Sequence, residues 1–247
     1  MHEELLTTSH RPFPLPNLPW VMTQRWDNVL FLHWPVPAEA LINKIPDSLE
    51  LDLYNGTAWI GIVPFHVKGM RLRAMPPVPM LSSFLELNVR TYVKYKSRTG
   101  VYFFSMDADS RLAVMGAKAT YNLPYMNAKM SIGREDGLVK FFSKRQQEGQ
   151  PDESFDCHYK PVSSIYFSGE GSLDEWLTER YCLWTENGKK LIRTDIHHKK
   201  WRLQKAEAHI RDNTMARFLP PSILKTEPLI HYSLTQQALF WPPIAED

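Results

Sequence analysis

The sequence predicts a mainly β (α+β) fold: an antiparallel β-barrel with a few short helices. Three observations support it. Tight-turn signals separate apolar runs at Asn55-Gly56, Glu135-Asp136-Gly137 and Asn187-Gly188. Nineteen prolines in 247 residues work against long helices, because proline cannot donate to the helical ladder. Aromatic residues make up 12% of the chain, and they favour strands and the walls of apolar pockets. Closure into a barrel is expected because it removes exposed sheet edges.

The elements follow in order. Residues 1–20 form a proline-rich arm, and residues 21–247 a single domain. Pro12, Pro14, Pro16 and Pro19 favour extended backbone, and Phe13, Leu15 and Trp20 are apolar groups that can strap the arm to the domain. Pro16-Asn17-Leu18-Pro19 also matches a PxxP ligand, the mark of an interaction protein. Residues 29–33 read as a buried strand. Pro37 opens a short helix through Asn43, at a position where the first turn tolerates proline. Residues 49–54 and 57–63 are expected to pair across Asn55-Gly56. Residues 84–95 and 101–106 flank a turn ending at Gly100. In the first of these, Leu85, Leu87, Val89 and Thr91 share one face, and Phe84, Glu86, Asn88 and Arg90 the other.

Asp109-Ser110 caps a helix over 111–120, with Leu112, Met115 and Ala119 as its apolar stripe; Asn122-Leu123-Pro124 stops it. Residues 128–134 and 138–142 form a hairpin. The polar stretch 143–153 is the best linker or exposed loop. Ser172 and Glu175 form a capping box for a helix reaching about Tyr181. Residues 182–186 and 189–195 form a further hairpin, and 230–234 a late strand.

Composition excludes several classes. A net charge of +2 implies neither a nucleic-acid nor a membrane partner. No run approaches the roughly 18 apolar residues of a membrane span. The start, Met1-His2-Glu3-Glu4, does not read as a signal peptide. The two cysteines, Cys157 and Cys182, read as reduced and inert thiols, which suits the cytoplasm. No cofactor is expected: there is no G-x-G-x-x-G, no Walker loop and no G-x-S-x-G. No metal is expected either. Asp195 and His197 share a strand face, but no H-x-x-x-H or H-E-x-x-H pattern accompanies them. The basic cluster His198-Lys199-Lys200-Trp201-Arg202 reads as a solvated face.

Several segments together resemble a known family. Asn28-Val29-Leu30-Phe31, Ala40-Leu41 followed by Ile45-Pro46-Asp47-Ser48-Leu49-Glu50-Leu51-Asp52, Phe84-Leu85-Glu86, and Ala117-Lys118-Ala119 through Pro124 are similar to the acetoacetate decarboxylase family over the first half of the chain. The whole chain, notably Glu179-Arg180-Tyr181 and 198–201, resembles the YqjF-like family of bacterial proteins. The resemblance implies an acetoacetate-decarboxylase-like barrel with Glu86 as the active-site glutamate. It also exposes a departure. The decarboxylases form a Schiff base on the first lysine after the motif proline, an amine whose pKa is lowered by a neighbouring cation and desolvation; acetoacetate decarboxylase is the standard example of that effect. Here Tyr125 and Met126 occupy those positions, and neither forms an imine. A second family glutamate falls near Gly61 and is also absent.

The expected function is therefore the binding of a small, partly apolar organic molecule, a carboxylic or keto acid being the class in view, without imine-based decarboxylation. Glu86 and Tyr125 are the candidate catalytic pair, with Glu86 as acid or base and the Tyr125 hydroxyl polarising a carbonyl. Arg71 and Arg73, in the Met- and Pro-rich loop 70–80, are candidate anion ligands at the mouth. Lys118, Tyr121 and Lys129 complete the candidate ligand-binding set. Lys129 shares an expected strand face with Tyr125, and Lys118 stands near the end of the predicted helix, where a cation complements its dipole.

Overall fold

The computed structural model describes residues 2–79, 81–112, 114–115, 123–145, 152–188 and 190–246. Thirteen strands dominate the described residues: β1 (Met22–Val36), β2 (Glu50–Leu51), β3 (Ala58–Leu72), β4 (Phe84–Tyr95), β5 (Arg98–Ala108), β6 (Tyr125–Glu135), β7 (Leu138–Arg145), β8 (Ser154–Pro161), β9 (Cys182–Asn187), β10 (Lys190–His197), β11 (Gln204–Asn213), β12 (Leu229–Phe240) and β13 (Ile244–Ala245). They form one sheet in the order β13-β10-β9-β5-β6-β7-β8-β11-β12-β1-β3-β4-β2, with additional pairings of β10 to β12 and β5 to β4.

Those two additional pairings join the sheet to itself twice. One circuit of ladders runs β5-β4-β3-β1-β12-β10-β9. The other runs β5-β6-β7-β8-β11-β12-β1-β3-β4. Strands β1, β3 and β4 therefore separate two apolar cores. Phe31, Phe65, Phe84 and Phe103 pack on one side of this partition; Leu32, Ile62, Leu87 and Phe141 pack on the other. A strand covered on both faces reads as a nearly continuous apolar run, which explains Leu30-Phe31-Leu32 and Ile60-Gly61-Ile62-Val63. Alternation along β4 survives where its polar residues face a cavity: Leu85, Leu87 and Val89 belong to the second core, and Phe84 to the first.

Two of the expected hairpins form as read. Asp136 and Gly137 both take positive φ between β6 and β7, and Gly188 turns β9 into β10. Asn55 and Gly56 also turn with positive φ, but they close only a Tyr54–Thr57 bridge. The short β2 pairs with β4 instead of β3, which corrects the expected hairpin. The β4–β5 turn comes earlier than Gly100, at Lys96 with φ 54°. Gly100 serves a different need: a Cβ there would lie 2.6 Å from Cys182 Sγ and 2.7 Å from the Cys182 carbonyl oxygen. Only glycine lets β5 and β9 approach so closely.

The segment after Pro37 forms two 3₁₀ turns, Ala38–Ala40 and Ile42–Lys44. Arg111, Leu112, Val114 and Met115 are helical; the remainder of the expected 111–120 helix lies outside the described residues. Of the 143–153 loop, the first three residues belong to β7, and 146–151 lie outside the description. Ser172 Oγ accepts the Glu175 amide, while the Glu175 carboxylate accepts from Gly171 N. The helix they cap, Leu173–Thr178, stops short of Tyr181. The arm lies on the domain: Arg11 is buried and donates to the Ile196 carbonyl, and Trp241 Nε1 donates to the Leu18 carbonyl. Both cysteines are free and buried.

Candidate functional site

A cavity of about 580 Å³ lies within the β5-β4-β3-β1-β12-β10-β9 circuit, and every one of those strands contributes lining. The volume is that of a small-molecule site. Its wall is mostly apolar and aromatic, with Trp26, Phe31, Phe65, Phe103, Trp201 and Phe240 prominent. The Met- and Pro-rich segment forms the mouth through Met70, Leu72, Met75, Pro76 and Val78.

Strand β4 supplies a polar track. Period-two geometry turns Glu86, Asn88 and Arg90 toward the cavity. Glu86 is 3% exposed and accepts a 2.7 Å hydrogen bond from the Tyr125 hydroxyl. The pair forms because β5 pairs with both neighbours, setting Ala108 opposite Glu86 and Met106 beside Tyr125. The small Ala108 side chain lets the phenol reach across. Burial raises Glu86 to about 7, against weaker lowering by hydrogen bonds from Tyr125 and Asn88. Burial, with the nearby Glu86 charge, pushes the Tyr125 phenol well above its ordinary value. Near neutral pH the carboxyl thus exists in both protonation states, which is what a general acid or base requires.

The other candidates are distributed unevenly. Arg71 lines the cavity, and with Arg73 it also lines an outer hollow beside Trp20. Arg73 itself is exposed, its guanidinium carbon 5.3 Å from the Trp20 ring centre. The two arginines therefore do not both reach the cavity. Lys129 is exposed and does not line it: β6 pairs with β5 from Tyr125 to Asn127 and with β7 from Ala128 onward, which carries Lys129 away from the circuit. Lys118 and Tyr121 lie outside the described residues. Among the described residues no lysine lines the cavity, and none form a metal-binding group of three or more.

Gly61, near which the resemblance would set a second glutamate, is closed off by packing. A Cβ there would lie 3.1 Å from His33 Cδ2. His33 is buried, and burial lowers its pKa well below the ordinary value. Its Nε2 lies 2.7 Å from the Tyr92 hydroxyl, which donates to the Leu177 carbonyl. The phenol has one proton, so His33 Nε2 is the donor to it.

Arg180, Thr194, His198 and Trp201 are among the lining groups that the sequence candidates did not include. The cluster 198–202 looked solvated, yet His198 and Trp201 are 2% and 3% exposed. Burial lowers His198 to about 3, so it is neutral here. Lys199 and Lys200, which lie between His198 and Trp201, masked an inward-facing pair; alternation offers no sign of it in so short a stretch. Arg180, His198 and Trp201 did have a signal by resemblance, since they lie within Glu179-Arg180-Tyr181 and 198–201.

Comparison with known proteins agrees with this fold. Residues 23–237 match the family model DUF2071, described as an uncharacterized conserved protein. The chain is 44% identical over 228 residues to the uncharacterized protein YqjF of Bacillus subtilis (strain 168), covering 92% of this chain and 93% of that one. Its fold is similar to that of the acetoacetate decarboxylase of Legionella pneumophila, with a TM-score of 0.62 at 13% identity over 96% of this chain and 93% of the other. It is also similar to the enduracididine biosynthesis enzyme MppR complexed with pyruvate, with a TM-score of 0.60 at 12% identity over 95% and 92%. The described chain thus combines the acetoacetate-decarboxylase-like fold with a YqjF-like sequence, and it belongs to the DUF2071 family.

Proposed function

We propose that this chain binds a small, partly apolar organic molecule in the β5-β4-β3-β1-β12-β10-β9 cavity, and that it does so without forming an imine. The observation that carries the reading is the Glu86–Tyr125 pair, buried at the wall of a cavity of about 580 Å³ that no described lysine enters. Native mass spectrometry of the purified protein, followed by thermal-shift titration with carboxylic and keto acids, tests it. A stoichiometric adduct that leaves on denaturation, or a saturable stabilisation by such an acid, is the expected result. A bare chain with no saturable shift overturns the reading.

A second reading, acid/base catalysis on a keto or carboxylic acid, is favoured by one observation. No cation pairs with Glu86 among the described residues: Arg90 binds the Leu177 carbonyl instead. The ionised Glu86 would accept a proton from the carbon beside a ketone, and the protonated form would return it. Exchange of the α-protons of phenylpyruvate in deuterated water tests this. Exchange that rises with pH through about 7 and vanishes in Glu86→Gln supports it; background exchange alone refutes it.

A further inference from the structure

Beyond Glu86, the cavity wall holds donors that nothing satisfies. Arg90 donates from Nη2 to the Leu177 carbonyl at 3.3 Å, but its Nε is buried without a partner. No carboxylate lies within ion-pair distance of it among the described residues. Arg180 is fixed on two sides, by Nε to the Trp176 carbonyl and Nη1 to Asp52 at 2.6 Å. Its side chain is only 5% exposed, yet Nη2 is buried and unpartnered. The two guanidinium carbons stand 5.7 and 4.8 Å from the centre of the same buried Tyr92 ring, so one ring holds both behind the wall they line. Thr194 Oγ1 and Trp201 Nε1 are likewise buried, unpartnered and on lining residues.

An unsatisfied buried donor costs about 1–3 kcal/mol, and a charged one more. At a cavity wall such a group calls for an acceptor that the chain does not supply, from a ligand or an ordered water. One of these cations, Arg90, lacks an anion, and a planar guanidinium suits a carboxylate. The rest of the wall is mostly apolar, and Arg71 is the one further cation on it among the described residues, which disfavours a densely charged ligand such as a polyphosphate. The track also has a direction: Glu86 and Arg90 are four residues apart on one face of β4, roughly 13 Å at about 3.3 Å per residue.

We propose that Arg90 and Arg180 form a carboxylate subsite, and that the ligand is a monocarboxylate with an apolar aliphatic or aromatic body. The carboxylate takes the donors of Arg90 and Arg180, and the apolar body lies against Trp26, Phe31 and Trp201. This rests on the ligand-binding reading above and adds the chemical class and its orientation.

Octanoate and 1-octanol differ at the head group alone, and Trp26 and Trp201 in the wall report occupancy by their fluorescence. In the full-length wild-type protein, octanoate is expected to bind at least tenfold more tightly than 1-octanol. Arg90→Gln should abolish that preference while leaving 1-octanol affinity within twofold, and Arg90→Lys should restore part of it. A wild-type melting temperature in each variant establishes that the fold is intact. Equal affinity for the two probes in the wild type, or a preference that survives Arg90→Gln, overturns the carboxylate subsite and leaves the cavity reading standing. No saturable response to either probe overturns both.

Discussion

Replacing Glu86 by Gln should change how stability depends on pH. The wild-type carboxyl is held at about 7, against an ordinary value of 4.5, chiefly by burial. A raised carboxyl means that the folded chain holds its proton more tightly than the unfolded chain. The associated stability is complete below about 4.5 and is lost as pH rises through 7. At about 1.4 kcal/mol per pH unit, the displacement converts to roughly 3 kcal/mol. Gln mimics the protonated carboxyl and does not titrate. The variant should therefore match the wild type at low pH and exceed its stability by roughly 3 kcal/mol above pH 8. Urea unfolding at a series of pH values measures both curves. Taking their difference cancels Asp107, Asp109, Glu153 and Glu179, whose values burial also raises. Parallel curves across this range would mean that Glu86 is ionised throughout, and the argument for a titrating carboxyl in the cavity would fail.

Other outcomes follow from the same geometry. Tyr125→Phe removes a hydrogen bond that favours ionised Glu86. The Glu86 midpoint should rise by about one to two pH units, because such a bond to a charged group is worth about 1.5–3 kcal/mol; infrared titration of the carboxyl band follows it. Gly100→Ala drives a methyl group into Cys182 Sγ and its backbone oxygen. A loss of about 1–3 kcal/mol is expected, read by urea unfolding; an unchanged midpoint would show that β5 and β9 do not approach so closely. Borohydride treatment with acetoacetate should leave no covalent adduct, since Tyr125 and Met126 cannot form an imine and no described lysine lines the cavity. A mass increase mapped to a lysine would refute this.

Local signals were legible where one physical demand acts alone. Asp136-Gly137 and Asn187-Gly188 sit at turns because positive φ is cheap there, and Ser172 caps because its hydroxyl satisfies an orphan amide. Glu86 and Tyr125 were legible by resemblance, and β4 alternation fixed which way the glutamate points. The misreadings arose where two demands share a residue type. Gly100 looked like a turn glycine, yet it answers to β9, whose Cys182 lies 82 residues further along the chain. Asn55-Gly56 turns the chain, but the neighbouring residues pair elsewhere, and pairing partners are non-local. Strand β11 went unread because its alternation, Ala206, Ala208 and Ile210 against Lys205, Glu207 and His209, is interrupted by small side chains that look like loop. The inward turn of His198 and Trp201 depends on where the chain crosses the cavity, which no local pattern records.

The partition built from β1, β3 and β4 has a consequence for traffic. Side chains loaded against it from behind deny it room to flex, since close-packed interiors yield little. A guest cannot enter by bending that wall. Admission is expected at the mouth beyond the end of β3, where Leu72, Met75 and Val78 are exposed. Exchange rates should therefore respond to substitutions in that brim and be insensitive to changes in the second core.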